Sequence, residues 1–110
     1  MAGKFELNTS ANGKFYFNLK ASNGQIILSS EMYESKSGAE GGIASVKKNA
    51  GDDARYERRT STNGSPFFVL KAGNGEVIGR SETYSSTAAV DNGIASVKAN
   101  APDAAIAETA

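Results

Sequence analysis

The chain is a tandem duplication of one short unit. Residues 5–53 align with residues 56–104 at a constant offset of 51 and without a gap, and 25 of the 49 aligned pairs are identical. Two like units that cannot each close a hydrophobic core can close one together. We therefore expect residues 1–110 to form a single domain made of two repeats, with residues 105–110 as a tail or a short edge strand.

Length and composition exclude several classes of protein. A chain of this size buries roughly 65% of its unfolded surface, and a single copy of the repeat would bury less. The 12 basic and 12 acidic residues cancel, which removes the whole-chain attraction to nucleic acids and anionic membranes. There is no cysteine for a disulfide framework, and no apolar stretch approaches the roughly 20 residues of a membrane span. We expect a cytoplasmic protein without a membrane partner.

Four Asn-Gly pairs divide the repeats into strands. Asparagine and glycine tolerate the positive φ angles of a type I′ turn, which joins antiparallel strands. The pairs, two at equivalent places in each repeat, are Asn12-Gly13, Asn23-Gly24, Asn63-Gly64 and Asn74-Gly75. They predict two three-stranded meanders, with strands at about 4–9, 14–20, 25–30, 55–60, 66–71 and 76–81.

The middle strand of the first repeat shows which face is buried. Phe15, Phe17 and Leu19 alternate with polar residues, which is the period of a sheet with one buried face. The second repeat keeps the pattern with Pro66 at the first of these positions. Proline has no amide hydrogen, so we expect it at the start of its strand.

After the third strand of each repeat the apolar spacing becomes i, i+4, i+7 and i+11, one stripe of an amphipathic helix. The stripe residues are Ala39, Ile43, Val46 and Ala50 and their equivalents Val90, Ile94, Val97 and Ala101. The predicted helices cover about 35–49 and 86–100, with Ser35 and Ser86 as candidate N-caps and with Ser37 and Glu40 as an alternative capping box in the first repeat. Gly42 and Gly93 lie inside these helices, where glycine is unfavourable, so we expect a close helix-to-sheet or helix-to-helix approach there.

Three ordered motifs occur in both repeats. In the first repeat they are Phe17-x-Leu19-Lys20-Ala21-x-Asn23-Gly24, Ser30-Glu31-x-Tyr33 and Gly42-Ile43-Ala44-Ser45-Val46-Lys47-x-Asn49, and the second repeats them 51 residues later. On these motifs the chain resembles the YegP-like family, an uncharacterised bacterial family, in its duplicated form. It departs from the family pattern with Phe5 in place of tryptophan and with Pro66.

The resemblance implies an α+β fold in which each repeat contributes three strands, a helix and a further strand. It implies a single, mainly antiparallel sheet with two helices on one face and with C-terminal strands swapped, so that the second repeat acts as the partner of the first. Residues 53–60 would then both follow the first helix and begin the second repeat, with residues 104–108 as their terminal counterpart. The resemblance implies no activity, cofactor or substrate, and it assigns no residue a role.

The strongest candidates for chemistry are Ser30-Glu31-x-Tyr33 and Ser81-Glu82-x-Tyr84. Carboxylates and phenols paired near a pseudo-twofold axis could frame a ligand groove. In the alternative, which we favour, the serine, glutamate and tyrosine residues only shape the junction between strand and helix. Each hydroxyl would then bond to the backbone, as buried tyrosines commonly do.

The sheet face opposite the helices is a second candidate. Tyr16 and Phe67 should project there among basic side chains, and aromatic rings among cations can stack single-stranded bases. The basic residues are Lys14, Lys20, Lys71, Arg58 and Arg59. The alternative is a solvated face or a self-association surface, which the zero net charge favours.

Three other short patterns are interpreted structurally. Gly73-Asn74-Gly75-x-x-x-Gly79 has the wrong spacing and position for a phosphate-binding loop and indicates a tight turn. Ser45 and Lys48 have the spacing of a serine–lysine pair, but the second repeat lacks the lysine. Asp52-Asp53 is matched only by Asp103, which gives too few oxygens for a hard cation. We predict no catalytic, cofactor-binding or metal-binding residue and no cofactor.

Three classes of function remain. We favour a non-enzymatic binding or interaction module, monomeric and built as an intrachain pseudo-dimer, whose partner is a protein or a small ligand. The first alternative is a single-stranded nucleic-acid binder that uses the aromatic and basic face. An enzyme that uses the Glu and Tyr pairs ranks last, because the chain has neither histidine nor cysteine, the common bases and nucleophiles.

Overall fold

The computed structural model describes residues 3–108 of the chain. The strands are β1 (Lys4–Thr9), β2 (Phe15–Lys20), β3 (Ile26–Ser29), β4 (Tyr56–Thr60), β5 (Pro66–Lys71), β6 (Val77–Arg80) and β7 (Ala105–Glu108). The helices are α1 (Lys36–Asn49) and α2 (Thr87–Asn100), and one turn of 3₁₀ helix covers Asp53–Arg55. The six predicted strands and both predicted helices are confirmed, each bound lying within about one residue of its expected place.

One seven-stranded sheet joins the two repeats in the order β4-β5-β6-β3-β2-β1-β7. Apart from β7, the order is the same when read from either edge with β1, β2 and β3 exchanged for β4, β5 and β6. A pseudo-twofold axis therefore passes between β3 and β6. Neighbouring strands are antiparallel except β7, which runs parallel to β1. The predicted α+β fold with a single, mainly antiparallel sheet is confirmed.

Both helices pack on one face of this sheet, and each helix spans the two repeats. Helix α1 contacts β2 of its own repeat and β6 of the other, and α2 contacts β5 and β3 in the same way. Their apolar stripes join the inward side chains of the sheet in one core. The predicted N-caps are confirmed, since Ser35 Oγ accepts a hydrogen bond from the amide of Gly38 at 3.0 Å and Ser86 Oγ from that of Ala89 at 3.1 Å.

The C-terminal strand β7 crosses from the second repeat to the first. It pairs with β1 with Ile106 opposite Phe5, so residues 105–108 form an edge strand, while residues 109–110 lie outside the described part. Within residues 3–108 no second strand is exchanged in this way. The equivalent segment of the first repeat, residues 54–57, belongs to the 3₁₀ turn and the start of β4 and connects the repeats.

The four Asn-Gly pairs do close hairpins, but the type I′ prediction is wrong. Across residues 3–108, positive φ occurs at four glycines, between 83° and 88°, and at no other residue type. In the first hairpin Gly13 N donates to Ser10 O at 3.0 Å and Ser10 N donates to Lys14 O at 2.7 Å. This is a three-residue loop, a type I turn followed by a left-handed glycine. The asparagine keeps a negative φ, and the Asn12 side chain accepts a hydrogen bond from Lys14 N.

The repeats differ sharply at the pseudo-twofold axis. Leu28 of β3 is buried, and its equivalent in β6 is Gly79. A Cβ atom on Gly79 would lie 2.7 Å from both Cγ and Cδ2 of Leu28. Because β3 and β6 are neighbours, there is room for only one large side chain at these two positions.

Candidate binding grooves between the repeats

Two grooves lie where a helix of one repeat faces the second hairpin of the other. We call the first the Tyr33 groove, and its volume is about 370 Å³. Its walls are Glu31, Tyr33, Gly42 and Ser45 from the first repeat and Ala72, Asn74, Glu76, Val77 and Ile78 from the second. The groove therefore exists only when both repeats are folded against each other.

The second groove, called the Tyr84 groove, is the pseudo-symmetric counterpart of the first and has a volume of about 270 Å³. Its walls are Ala21, Asn23, Gln25 and Ile27 from the first repeat and Tyr84, Ala89, Asn92, Gly93 and Ser96 from the second. Seven of these nine residues stand 51 positions from a residue of the Tyr33 groove. The duplication thus creates two related grooves.

Tyr33 lies flat between the sheet and α1. Its backbone forms an antiparallel bridge with Phe15, with N–O distances of 2.7 and 2.8 Å. Its ring stacks on Phe17, with centroids 6.2 Å apart and planes 14° apart. A Cβ atom on Gly42 would lie 2.3 Å from Tyr33 Oη, so the ring occupies the space that a side chain would fill. Phe17 Cε2 of β2 would lie only 2.9 Å from the same Cβ atom, so a close helix-to-sheet approach at this glycine is confirmed, with the tyrosine ring beside it.

Tyr84 repeats this arrangement against α2. Its ring stacks on Phe68 at 6.4 Å and 6°, and a Cβ atom on Gly93 would lie 2.5 Å from Tyr84 Oη. The amide of Tyr84 donates to Pro66 O at 2.8 Å. Proline has no amide to return the bond, so half of the backbone bridge is missing on this side.

The serines and the tyrosines of the two motifs have different roles. Ser30 Oγ accepts from Phe17 N and donates to Glu31 O, both at 2.8 Å, and Ser81 does the same with its equivalents. The serines therefore shape the junction, as expected. Within the described part of the chain, neither tyrosine hydroxyl has a hydrogen-bond partner, so backbone bonding was a wrong expectation for the tyrosines.

The Tyr33 groove carries uncompensated negative charge. Burial first, and then the carboxylates of Glu31 and Glu76, raise the pKa of the Tyr33 phenol. Asn74 Nδ2 donates to Glu76 Oε1 at 2.8 Å. Neither carboxylate forms an ion pair with another residue in the range 3–108. A phenol that can donate or accept a hydrogen bond thus shares the groove with two carboxylates that form no ion pair in the described part of the chain.

The Tyr84 groove is lined by amides instead. Gln25 stands where the first groove has Glu76, and Asn92 adds a second amide on α2. Burial and then the charge of Glu82 raise the pKa of Tyr84. The two Glu and Tyr pairs therefore do not meet in one site, and each tyrosine faces a hairpin of the opposite repeat.

The face opposite the helices brings together fewer free groups than expected. Phe67 is only 6% exposed, and the Arg80 guanidinium carbon lies 5.0 Å from the centre of its ring. The acidic partners on this face are Glu6, 3.1 Å from Lys20, and Glu57, which binds Lys71 and, at 2.6 Å, Arg59. Phe67, Lys20, Lys71 and Arg59 are thus engaged within the chain. The half-buried ring of Tyr16, the other aromatic residue predicted here, has no ring or cation contact within residues 3–108.

Arg58 was placed on the wrong face. It lies two residues beyond the buried Tyr56, on the helix side of β4, where Arg58 Nη2 is 2.5 Å from Asp91 Oδ1 of α2. Of the other basic residues, Lys14 binds Glu34 at 2.9 Å. A charged residue can occupy an inward position here because β4 is an edge strand and its helix side remains accessible to solvent.

The remaining patterns form no site within residues 3–108. Ser45 accepts a hydrogen bond from Asn49 Nδ2 at 3.3 Å, and Lys48 is exposed without a contact to it. Asp52 caps the 3₁₀ turn, accepting from Ala54 N at 3.0 Å, and Asp53 pairs with Lys98. This part of the chain has no group of three acidic, histidine or cysteine residues placed to hold a metal ion. It also has no helix long and apolar enough to cross a membrane.

Sequence reasoning missed half of each groove. None of the walls supplied by the second hairpins was predicted to belong to a site. Asn74 and Asn23 were interpreted as turn residues, Glu76 and Gln25 as the first residues of strands, and Ala72 and Ala21 as part of a repeated motif. A signal was present, because Lys-Ala-x-Asn-Gly is shared by both repeats. A turn needs the Asn-Gly pair alone, so the additional identity could have indicated a further role.

The fold and the grooves define a class of protein, an α+β pseudo-dimer whose two repeats share one sheet and enclose two grooves. The model of a domain of unknown function, DUF1508, matches the chain twice, at residues 10–57 and 61–108. A UPF0339 protein of Bordetella pertussis is 60% identical over 104 residues, which cover 94% of this chain and 93% of that protein.

Two solution NMR structures share the fold. A UPF0339 protein from Shewanella oneidensis matches with a TM-score of 0.92 and 50% identity, covering 98% of this chain and 92% of that one. The protein of unknown function yegP from E. coli matches with a TM-score of 0.94 and 48% identity, covering 99% and 94%. The chain belongs to the DUF1508 family as a two-repeat member, and the resemblance to YegP-like proteins is confirmed.

Proposed function

We propose that this chain is a monomeric, non-enzymatic binding module that acts in the cytoplasm and takes polar ligands in its two grooves. Residues 1–110 would form one domain, with repeats at about 5–53 and 56–104. The observation that supports this most is the composition of the grooves. Each joins a tyrosine and a helix of one repeat to a hairpin of the other, and each tyrosine hydroxyl is left without a partner in the described part of the chain.

The chemistry of the grooves favours binding over catalysis. Burial and neighbouring carboxylates raise the pKa of Tyr33, so the phenol keeps its proton at neutral pH and serves as a hydrogen-bonding group rather than a base. The chain has no histidine or cysteine to act as base or nucleophile. The groups present can hold and orient a ligand without transferring a proton to it.

The nucleic-acid alternative has weaker support. Binding of single strands uses exposed rings on which bases stack and cations free to contact phosphates. On the open face of the sheet, Arg80 covers Phe67, and Lys20, Lys71 and Arg59 are ion-paired. We therefore assign the binding role to the grooves.

The Tyr33 groove would take a cationic group. Glu31 and Glu76 have no ion pair among residues 3–108, and an amine or guanidinium would compensate both while its N–H groups bond to the Tyr33 hydroxyl. The Tyr84 groove has Gln25 in place of Glu76, so one carboxylate, Glu82, acts on its tyrosine rather than two. It would favour a neutral group that pairs with its amides. The ligand could be a small molecule or a side chain of a partner protein.

A thermal-stability screen tests this proposal. A library of small amines, guanidines, amides and sugars is added to the full chain and to the variants Tyr33→Phe and Tyr84→Phe. Each variant removes one hydroxyl that bonds to no described residue, so its own stability should change little. We expect ligands that raise the Tm of the parent chain, with a smaller rise in the variant whose groove they occupy.

Glu31→Gln and Glu82→Gln provide a second matched pair, since both glutamates are exposed. Ligands of the Tyr33 groove should lose affinity in the first variant and keep it in the second. The proposal is wrong if every stabilising ligand acts equally on all four variants, or if no compound class stabilises the chain.

A further inference from the structure

The two outer strands of the paired repeats differ in one respect that the duplication does not explain. β1 is covered by β7, in a parallel register that places Glu108 opposite Leu7. β4 is the equivalent of β1, but it pairs only with β5 and ends the described sheet. One half of the pseudo-dimer thus has four strands and the other has three.

The missing strand has a covalent reason. Residues 105–108 correspond to residues 54–57 in the first repeat. Residues 54–57 must lead from α1 into β4, so they cannot also lie beside β4 as a separate strand. The connection that turns two repeats into one chain therefore leaves an uncovered edge.

The free edge presents backbone groups at alternate residues. Phe68 N donates to Ser81 Oγ on the side away from β4, and Phe68 is the partner of Arg58 in the antiparallel register. Because the backbone amide of Phe68 points away from β4, Arg58 and Phe68 form a pair without hydrogen bonds between them, and the amide and carbonyl of Arg58 point outward from the sheet. The amide and carbonyl of Thr60, two residues later, point the same way. These are the groups to which a parallel strand would bond.

Side chains along this edge favour an acidic occupant. Arg58 and Arg59 are both exposed, and each already has an acidic partner in the chain. Arg58 Nε and Nη2 both bind Asp91 Oδ1, and Arg59 Nε binds Glu57 at 2.6 Å. The remaining N–H donors of both guanidinium groups stay available to a carboxylate of the incoming strand. A pocket of about 110 Å³ adjoins the edge and is lined by Arg58, Arg59, Thr60, Pro66, Thr87 and Val90. It can take one small apolar side chain.

We propose that the edge of β4 binds an extended acidic peptide segment as a parallel strand, in the register that β7 adopts on β1. In that register a carboxylate faces Arg58, an apolar residue two positions earlier faces Tyr56, and a small apolar residue two positions later faces Thr60 and the pocket. Main-chain bonds would provide affinity and the arginines would select for acidic sequences. This surface is separate from the two grooves.

An NMR titration of the ¹⁵N-labelled full chain tests the proposal. The probe is a capped peptide with the sequence of residues 104–110 in which Thr109→Glu adds a carboxylate opposite Arg59. We expect the amide signals of Arg58 and Thr60 to shift. The same peptide with N-methyl groups on the residues flanking the first glutamate keeps its charge but lacks the two amide N–H groups that would donate to the carbonyls of the β4 edge. It should bind at least about tenfold more weakly, because two backbone hydrogen bonds are lost.

A charge control separates strand addition from general attraction. Replacing the probe glutamate that faces Arg58 by glutamine should weaken binding to the parent chain, and Arg58→Gln should remove most of that difference. The proposal is overturned if the N-methylated probe binds equally well, if the shifts map to the grooves instead, or if β4 shows no shift. It is also overturned if the chain alone self-associates through β4, since a second copy would then be the occupant.

Discussion

Replacing Gly42 by alanine should destabilise the fold, although alanine is the better helix former. The new Cβ atom would lie 2.3 Å from Tyr33 Oη, 2.7 Å from Tyr33 Cζ and 2.9 Å from Phe17 Cε2. Phe17 is fully buried and cannot move away without disturbing the core. Tyr33 would have to leave its stacked position, and the groove that it lines would change shape.

The expected loss of stability follows from two destabilising effects and one stabilising effect. Overpacking of this kind is destabilising by about 1–3 kcal/mol, and loss of the stacked pair with Phe17 adds about 0.5–1.5 kcal/mol. The change from glycine to alanine in a helix is itself stabilising by about 1 kcal/mol. We expect the free energy of unfolding to fall by about 1–3 kcal/mol.

Gly41 provides the matched control because it is the preceding residue of α1 and a Cβ atom there would have no neighbour within 4 Å. Gly41→Ala should therefore stabilise the chain by about 0.5–1 kcal/mol. Urea unfolding of the two variants measures the difference. A Tyr33→Phe background removes the shortest contact and should reduce the penalty of Gly42→Ala. Equal stability of the Gly41 and Gly42 variants would refute this account of the tyrosine position.

Three further predictions test other parts of the structure. Gly79→Ala should be destabilising by about 1–3 kcal/mol in urea unfolding, but much less so in a Leu28→Ala background, and equal effects would show that the contact across the axis is unimportant. Glu76→Gln should weaken binding of a guanidinium probe to the Tyr33 groove, and Gln25→Glu should create such binding at the Tyr84 groove. NMR titration measures both affinities, and unchanged values would exclude a role for the charge of the grooves. Burial raises the pKa of Tyr56 well above its ordinary value of 10.0, so the unfolded chain loses this proton first and the free energy of unfolding should fall as pH rises above about 10. Tyr56→Phe should make the difference between the free energies of unfolding at pH 9 and pH 11 smaller. An unchanged difference would assign the pH dependence to other groups.

The strands and helices could be predicted closely because their signals are local. Alternation in β2, the Asn-Gly pairs and the helical stripes each depend on residues within a few positions of one another. The turn type was wrong for a local reason too, since a three-residue loop gives only the glycine a positive φ. Sequence alone did not distinguish the two loop lengths.

The grooves depend on contacts between distant residues and could not be predicted in the same way. Tyr33 was chosen correctly, but its neighbours Ala72 and Asn74 come from the other repeat. Their approach depends on the pairing of β3 with β6, which is fixed by a few residues at the axis. The presence of glycine at position 79, where the first repeat has Leu28, is explained only when β3 and β6 are known to be neighbours.

Arg58 shows a different limit of sequence reasoning. Its equivalent Leu7 is fully buried, so the repeat alignment places position 58 on the helix side. Because arginine is charged, we instead predicted that position 58 lies on the solvated face of the sheet, opposite the helices. At the free edge β4 the charge reaches solvent and pairs with Asp91, and the repeat pattern was the better guide to the direction of the side chain.

The central claim is that the two grooves between the repeats are binding sites. The most direct measurement is a ¹⁵N NMR screen of the full chain against a library of small polar compounds, with every shifted amide mapped on the structure. We predict shifts that cluster around Tyr33, Gly42 and Glu76, or around Tyr84, Gly93 and Gln25, with cationic compounds preferring the first set. Shifts confined to the open face of the sheet, or no shifts from any compound class, would contradict the claim.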